Sequence, residues 1–197
     1  MRQVLLATFN ASKLKEFRLL MGGVSLIGPD DAGIRELPEE TGSTFEENAA
    51  IKAQAAARSG VLSISDDSGL EVDALNGEPG VYSARYGGSD LDDEGRYRLL
   101  LKELEGVRSE DRTARFRCVI AACDPSADEP GRPLFFTGSC EGIIGFEPRG
   151  SNGFGYDPVF VLEDGRTMAE LEIGKKNRIS HRALAVRAFL EWFSRRP

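Results

Sequence analysis

The sequence predicts an α/β fold, and three observations lead to this prediction. Short apolar runs alternate with stretches of helical periodicity, the N-terminal segment has the pattern of a β-α-β unit, and glycine- and proline-rich turns separate the elements. The 197-residue chain is 41% hydrophobic, so it can bury a sizeable core. No repeat, linker or break in composition divides it, and we expect one domain over residues 1–197, with two lobes.

The first predicted elements form the β-α-β unit. Residues 4–8 are a continuous apolar run, typical of a strand buried on both faces. A helix follows, with Ser12 as its predicted cap and apolar residues at helical spacing, until Gly22 and Gly23 stop it. Residues 24–27 are predicted as the second strand.

A loop over residues 28–42 then ends in the acidic pair Glu39–Glu40. The second helix starts with the capping box of Thr44 and Glu47 and runs through an alanine-rich stretch to Gly60. Residues 61–65 are predicted as a strand that leads into a turn over residues 66–69, of sequence Asp-Asp-Ser-Gly.

The C-terminal half predicts further strands and two helices. Residues 77–88 form a glycine-rich loop and residues 91–104 a helix, while residues 114–122 and 134–144 are expected to pair as antiparallel strands of a second lobe. Residues 150–158 are a Gly/Pro loop, residues 159–162 a short strand, and the last helix follows Ser180.

Composition excludes several classes of protein. The net charge of -7 argues against a nucleic-acid partner, which would require a basic face. No apolar run approaches the length of a membrane span and no signal peptide is evident, so a cytoplasmic location is expected. The three cysteines lack metal-binding or disulfide spacing and are predicted to be small buried hydrophobes.

Two segments have the chemistry to bind phosphates and a metal ion. Thr8, Asn10, Ser12 and Lys13 lie at a strand–helix junction, where helix N-termini bind anions; the alternative is a helix cap with a solvated lysine. Asp67 lies in the Asp-Asp-Ser-Gly segment, where a carboxylate can bind Mg²⁺ or accept a proton from water, and a plain turn is the alternative.

Two further segments have the chemistry to bind a nucleotide. In Gly-Phe-Gly-Tyr-Asp-Pro, residues 153–158, a ring between glycines suits stacking on a base, although a structural turn would have the same sequence. Residues 175–182 concentrate positive charge before the last predicted helix and contain His181, the only histidine. With one histidine and no cysteine cluster, a zinc site of ordinary composition is excluded.

Six motifs in this order resemble those of the inosine triphosphate pyrophosphatase family, the non-canonical purine NTP pyrophosphatases. They extend from residue 4 to beyond Arg182 and comprise Thr8-x-Asn10-x-x-Lys13, Glu39-Glu40-Thr41-Gly42, Asp66-Asp67-Ser68-Gly69-Leu70, Pro79-Gly80-Val81-Tyr82-Ser83-Ala84-Arg85-Tyr86, Gly153-Phe154-Gly155-Tyr156-Asp157-Pro158 and Ile179-Ser180-His181-Arg182.

The resemblance implies an elongated, two-lobed fold with a central mixed sheet flanked by helices and a nucleotide cleft between the lobes. It also implies a Mg²⁺-dependent homodimer that hydrolyses dITP, ITP and XTP to monophosphates and pyrophosphate. Asp67 is then the catalytic base and a metal ligand, with Glu39 as the second ligand and Glu40 as the alternative. Substrate binding is assigned to Thr8, Asn10, Ser12, Lys13, Lys52, Ser68, Phe154, Gly155, Tyr156, Asp157, Lys176, His181 and Arg182.

One departure from the family concerns Phe9, where glycine is common and would let the backbone approach the phosphates. The phenylalanine is expected to point into the sheet or toward the base. Arg182 and the backbone near Phe154 are the candidates for reading the 6-oxo group. Two alternatives stay open: a related pyrophosphatase for another modified nucleotide, and a catalytically silent nucleotide-binding regulator, against which intact Asp67, Glu39 and Lys13 argue.

Overall fold

The computed structural model describes residues 3–196 and confirms the α/β fold. One sheet contains six strands in the order β2-β1-β3-β4-β5-β6. The strands are β1 (Gln3–Leu6), β2 (Ser25–Ile27), β3 (Ser63–Val72), β4 (Thr113–Cys123), β5 (Leu134–Ile144) and β6 (Phe160–Val161). The helices are α1 (Ala11–Leu20), α2 (Phe45–Ala57), α3 (Asp93–Glu103), α4 (Ile173–Ile179) and α5 (His181–Ser194).

The sheet is mixed, as predicted. Strand β1 pairs in parallel with both β2 and β3, whereas β5 and β6 are antiparallel. Because β1 has parallel neighbours on both sides, both its faces are covered by helices. Leu6 packs with Phe17 of α1 and Phe189 of α5, while Leu5 packs with Ala56 of α2, which confirms the prediction of a strand buried on both faces.

Contacts divide the chain into two compact units. The first comprises the residues up to Asp67, then Cys118–Gly138, and the residues from Arg182 onward; the second comprises Ser68–Arg117 and Ser139–His181. Each has its own apolar core: the first is built around Phe17, Ile64 and Phe189, and the second around Leu100 and Phe160. The cleft that the resemblance implies stays a prediction.

The prediction of a turn at residues 66–69 is wrong. Strand β3 continues through the Asp-Asp-Ser-Gly segment to Val72. Its pairing with β1 ends at Ile64, opposite Leu6, but β4 lies on its other edge and the extended backbone continues beside it. Asp66 and Asp67 therefore lie just beyond the carboxyl end of β1, where ligand-binding residues of parallel sheets occur, although they belong to a strand.

Several boundaries also differ from the prediction. Asn10, not Ser12, caps α1, because its Oδ1 accepts the backbone N–H groups of Ser12 and Lys13. The basic segment before the last helix is itself the short helix α4. The glycine-rich loop at 77–88 contains a 3₁₀ helix over Gly80–Arg85. Helix α3 begins at Asp93, later than expected, with Asp92 as its cap.

Other sequence expectations are confirmed. Thr44 caps α2 by accepting the N–H of Glu47 at 3.1 Å. All three cysteines are buried thiols. Among residues 3–196, we find no helix with the length and hydropathy that crossing a bilayer requires.

Candidate active site

The loop between β1 and α1 is closed by its own side chains. Asn10 Oδ1 accepts the N–H groups of Ser12 and Lys13 at 2.9 and 3.1 Å, and Thr8 Oγ1 accepts the N–H of Asn10 at 3.2 Å. The first N–H groups of α1, which were expected to meet phosphates, are thus capped by Asn10. Phe9 is 49% exposed, so its ring does not enter the sheet, and of the two expected directions only the one toward the base stays a prediction.

Asp66 is the centre of a buried ion cluster in the first unit. Its Oδ2 lies 3.1 Å from Lys13 Nζ and 3.3 Å from Arg182 Nη2, and its backbone carbonyl accepts from Lys52 Nζ at 2.9 Å. Burial alone would raise the pKa of Asp66, but the charges of Lys13, Arg182 and Lys52 outweigh it and hold the pKa well below its usual range. Asp66 is therefore a fixed anion that positions three cations.

Asp67 is in the opposite electrostatic situation. Its carboxylate is buried, and burial together with the negative charge of Glu40 raises its pKa to about 6, against the opposing effects of Lys52 and Asn48. A carboxyl group with a pKa near neutrality is suited to accept a proton from water and later release it. Adjacent residues of β3 thus have pKa values displaced in opposite directions, which is a recurrent feature of catalytic sites.

Asn48 holds the Asp67 carboxylate in place. Its Nδ2 donates to Asp67 Oδ2 at 3.0 Å, and its Oδ1 accepts the N–H of Gly42 at 2.8 Å. A Cβ at Gly42 would lie 2.8 Å from Asn48 Oδ1 and 2.6 Å from the Cβ of Glu47, so glycine allows this close approach. Both ends of the Asn48 amide are bonded, and its orientation is fixed.

The acidic pair before α2 divides into two environments. Glu39 is exposed, whereas Glu40 is half-buried and its Oε1 accepts a hydrogen bond from Lys52 Nζ. Glu40 is also the acid whose charge raises the pKa of Asp67. The contacts therefore associate Glu40, the alternative of the pair, with the aspartates, and they do not bring Glu39 to them.

The donor set fits a hard divalent cation bound partly by substrate. Among residues 3–196, there is no group of three or more Asp, Glu, His or Cys side chains arranged as a metal site. The negative charge of Glu40 raises the pKa of Asp67, and the ammonium of Lys52, which is bonded to Glu40, offsets this effect only in part. Mg²⁺ commonly takes one or two carboxylates and completes its shell with water and phosphate oxygens, so these two residues are a suitable donor set.

The glycine-rich loop of the second unit is built around Asp157. The carboxylate of Asp157 accepts from Lys176 Nζ and from the backbone N–H of Phe154. Gly153 has φ +82°, and a Cβ there would lie 1.9 Å from Asp157 Oδ2. Glycine is therefore required for the carboxylate to approach the backbone.

The two aromatic residues of this loop have different environments. Phe154 is 40% exposed and lies 5.3 Å from Lys176 Nζ, so its ring is accessible to a flat ligand. Tyr156 is buried, and its hydroxyl donates to the carbonyl of Ser83 at 2.9 Å. This hydrogen bond holds the loop against the 3₁₀ helix over Gly80–Arg85. The N–H of Gly155 donates to Asp93 Oδ2 at 2.8 Å.

His181 and Arg182, both predicted to bind substrate, lie in different environments. His181 is buried and its ring stacks on Phe116 with centroids 4.8 Å apart. Arg182 is buried in the ion cluster, where Nη1 contacts Glu16 Oε2 at 2.7 Å. Because its guanidinium is engaged by Asp66 and Glu16, the expectation that Arg182 reads the 6-oxo group of a base is not supported by its contacts.

The sequence analysis did not identify Glu16 or Asn48 as residues of the first unit's site. It included Asp66 in a motif but did not predict that Asp66 is the buried anion of the ion cluster. Asn48 gave one signal, since a polar side chain at i−4 from Lys52 on an alanine-rich helix indicates a buried polar pair. Glu16 lies one helical turn after Lys13, so its proximity to the same site was readable from helical spacing.

Comparison with known proteins gives consistent matches over nearly the whole chain. The model of the Ham1 family matches residues 4–192. A protein named dITP/XTP pyrophosphatase from Bacillus licheniformis is 51% identical over 191 residues, which cover 95% of each protein. A protein of the same name from Geobacter sulfurreducens is 48% identical over 190 residues, or 94% of each.

Solved structures agree with these matches. The structure of a HAM1 protein from Coxiella burnetii is similar with a TM-score of 0.89 at 42% identity, covering 100% of both chains. The Staphylococcus aureus Ham1 protein is similar with a TM-score of 0.88 at 40% identity, covering 98% of both.

Proposed function

Because this chain belongs to the Ham1 family, we propose that it hydrolyses non-canonical purine nucleoside triphosphates to the monophosphate and pyrophosphate. The proposed substrates are dITP and XTP, in keeping with the names of its relatives, and ITP, which has the same base as dITP. The observation that carries the proposal within this chain is the pair of adjacent aspartates on β3, one a fixed anion among cations and one with a pKa of about 6.

Asp67 is the general base in this proposal. It accepts the proton of the attacking water, or orients that water, for in-line attack at the α-phosphorus. In the metal-free protein a pKa of about 6 leaves the carboxylate of Asp67 ionised at neutral pH, so it is available to accept a hydrogen bond or a proton from water. Asn48 keeps the Asp67 carboxylate oriented through its 3.0 Å hydrogen bond.

Lys13 and Lys52 neutralise the phosphates. Both ammonium groups already lie at the aspartate pair, with Lys13 on the Asp66 carboxylate and Lys52 on its carbonyl. A triphosphate arriving there gains two positioned positive charges, which also stabilise the charge that develops on the leaving pyrophosphate. Thr8, Asn10 and Ser12 complete the phosphate-binding segment in this proposal.

We propose Asp67 and Glu40 as the residues that hold Mg²⁺, so Glu40 replaces the expected Glu39. Support comes from the contact of Glu40 with Lys52 and its effect on the pKa of Asp67, whereas Glu39 is exposed. Bound Mg²⁺ would supply Lewis-acid stabilisation of the phosphate oxygens.

The base is assigned to the second unit, on the exposed ring of Phe154. The backbone of this loop, held by Asp157 and Lys176, is the proposed reader of the 6-oxo group. A site that offers donors to an oxo group rejects an amino group because a buried donor would be left unpaired. Ser68 and His181 are further proposed contacts, and a homodimeric, cytoplasmic enzyme completes the proposal.

A panel of triphosphates tests the function. The protein, with Mg²⁺ or with EDTA, is incubated with dITP, XTP, ATP, dUTP and a methylated-base triphosphate, and pyrophosphate and orthophosphate are measured separately. We expect release of pyrophosphate from dITP and XTP when Mg²⁺ is present, and no release with EDTA. Faster turnover of dUTP or the methylated nucleotide would favour the related pyrophosphatase, and nucleotide binding without product would favour the silent regulator.

A further inference from the structure

The second unit contains a pocket that the proposed function does not use. It has a volume of about 360 Å³ and lies at the C-terminal end of α3. Its lining consists of Arg98, Leu101, Lys102, Glu105, Gly106, Arg112 and Phe146. Pockets of about 300–1,000 Å³ are the usual size for small-molecule ligands, so this one is large enough to be a site.

Arg112 contributes a buried positive charge to this pocket. It is 3% exposed and its guanidinium donates to the carbonyls of Leu104 and Gly145 at 2.8 and 2.6 Å. Within residues 3–196, its Nε–H has no acceptor, its other N–H groups donate to carbonyls rather than to a carboxylate, and burial lowers its pKa. Carbonyl dipoles satisfy its hydrogen bonds without supplying a full counter-charge, and a buried unpaired cation is costly.

The rim of the pocket adds to this positive charge. Lys102 and Arg98 lie on it with one carboxylate, that of Glu105. Arg98 is paired with Glu94 at 2.6 Å, so Lys102 and Arg112 remain against the single carboxylate of Glu105, an excess of one positive charge. In a protein of net charge -7, a pocket with excess positive charge is a local exception that attracts anions.

Phe146 supplies a flat apolar wall. Its ring lies 4.1 Å from the guanidinium carbon of Arg112, yet the residue is 64% exposed. One face is therefore held by the cation–π contact while the residue keeps a large accessible surface. An exposed ring beside a positive charge suits a ligand that has both a ring and an anionic group.

We infer that this pocket is a second binding site, for a phosphate monoester carried on a flat ring. A carboxylate fits less well, because the N–H fork of Arg112 is occupied by carbonyls and offers no bidentate contact. Arg112 and Lys102 act as point charges, and a phosphate dianion gains more from them than a monoanion does. The inference does not depend on the proposed catalytic function.

The test uses phenyl phosphate as the probe and ¹H–¹⁵N NMR of the whole chain as the readout. The amide signals of Gly106 and Phe146 report on the pocket, and that of Lys13 reports separately on the candidate active site. Two control ligands are used: inorganic phosphate has the anion without the ring, and benzyl alcohol has the ring without the anion. We expect saturable shifts at Gly106 and Phe146, with phenyl phosphate binding more tightly than either half.

Three variants assign the binding to the pocket. Lys102→Gln is expected to raise the Kd of phenyl phosphate about fivefold, and Phe146→Leu to raise it by a similar factor while leaving inorganic phosphate unchanged. The control is Arg108→Gln, which removes an exposed charge outside the pocket and should change Kd less than about twofold. Absence of saturable shifts at Gly106 and Phe146, or equal weakening by Lys102→Gln and Arg108→Gln, would overturn the inference.

Discussion

Replacing Asp67 by asparagine should stabilise the metal-free protein while lowering turnover at least about 100-fold. The pKa of Asp67 is about 6 against an ordinary value of 3.8, because burial and Glu40 disfavour its charge. This difference of about 2 units corresponds to a cost of about 3 kcal/mol once the group is ionised, as an upper limit. Asparagine removes the charge but retains an oxygen that can accept the hydrogen bond from Asn48.

Proton linkage determines how the stability gained by Asp67→Asn changes with pH. The folded state binds the Asp67 proton more tightly than the unfolded state, so this carboxyl lowers the free energy of unfolding as pH rises from about 4 to about 6. The stability gained by Asp67→Asn should therefore grow from about 1.5 kcal/mol at pH 5 to about 3 kcal/mol at pH 7.5. Turnover should fall by a factor of about 100 or more, as expected for the loss of a general base.

The assay is urea unfolding at constant ionic strength, with EDTA, between pH 5 and pH 7.5. Asp128→Asn, at an exposed position, is the matched control and should change the free energy of unfolding by less than about 0.5 kcal/mol at every pH. A gain for Asp67→Asn that does not change with pH, or a loss of stability at pH 7.5, would refute the assignment of a costly buried carboxylate.

Two further substitutions, each compared with a control at a nearby position, test the metal site and the loop of the second unit. Glu40→Gln should raise the Mg²⁺ concentration for half-maximal rate by about tenfold, whereas Glu39→Gln should leave it within about twofold; the reverse order in Mg²⁺ titrations would assign the ligand to Glu39. Gly153→Ala should raise the KM for dITP by about tenfold because its Cβ would lie 1.9 Å from Asp157 Oδ2. Gly155→Ala is the control, because Gly155 also has a positive φ, of +61°, but no atom lies within 4 Å of the added Cβ. If both substitutions raise the KM equally in initial-rate assays, the clash with Asp157 is not the cause.

The sequence predicted the features that depend on local pattern. Apolar runs identified β1 and β2, and the Thr44 cap identified the start of α2. The sequence predicted Asp66 and Asp67 at the end of the strand over residues 61–65, whereas the structure has them within β3, just beyond its pairing with β1. What was wrong was the local conformation, since the neighbouring strand that keeps β3 extended is β4, which lies about fifty residues later in the chain.

Contacts between distant residues were beyond the sequence pattern. Arg182 bonds to Asp66 across 116 positions, and no spacing rule distinguishes this role from reading a base. The choice between Glu39 and Glu40 likewise depends on which side chain reaches Lys52 on α2. Neighbouring residues of a loop have similar propensities, so only the folded arrangement separates them.

Hydrolysis of dITP in ¹⁸O-labelled water under single-turnover conditions shows which phosphorus atom the water attacks. Water activated at Asp67 attacks the α-phosphorus in this account, so mass spectrometry should find one ¹⁸O atom in dIMP and none in pyrophosphate. Label in pyrophosphate or in orthophosphate, with dIMP unlabelled, would contradict it.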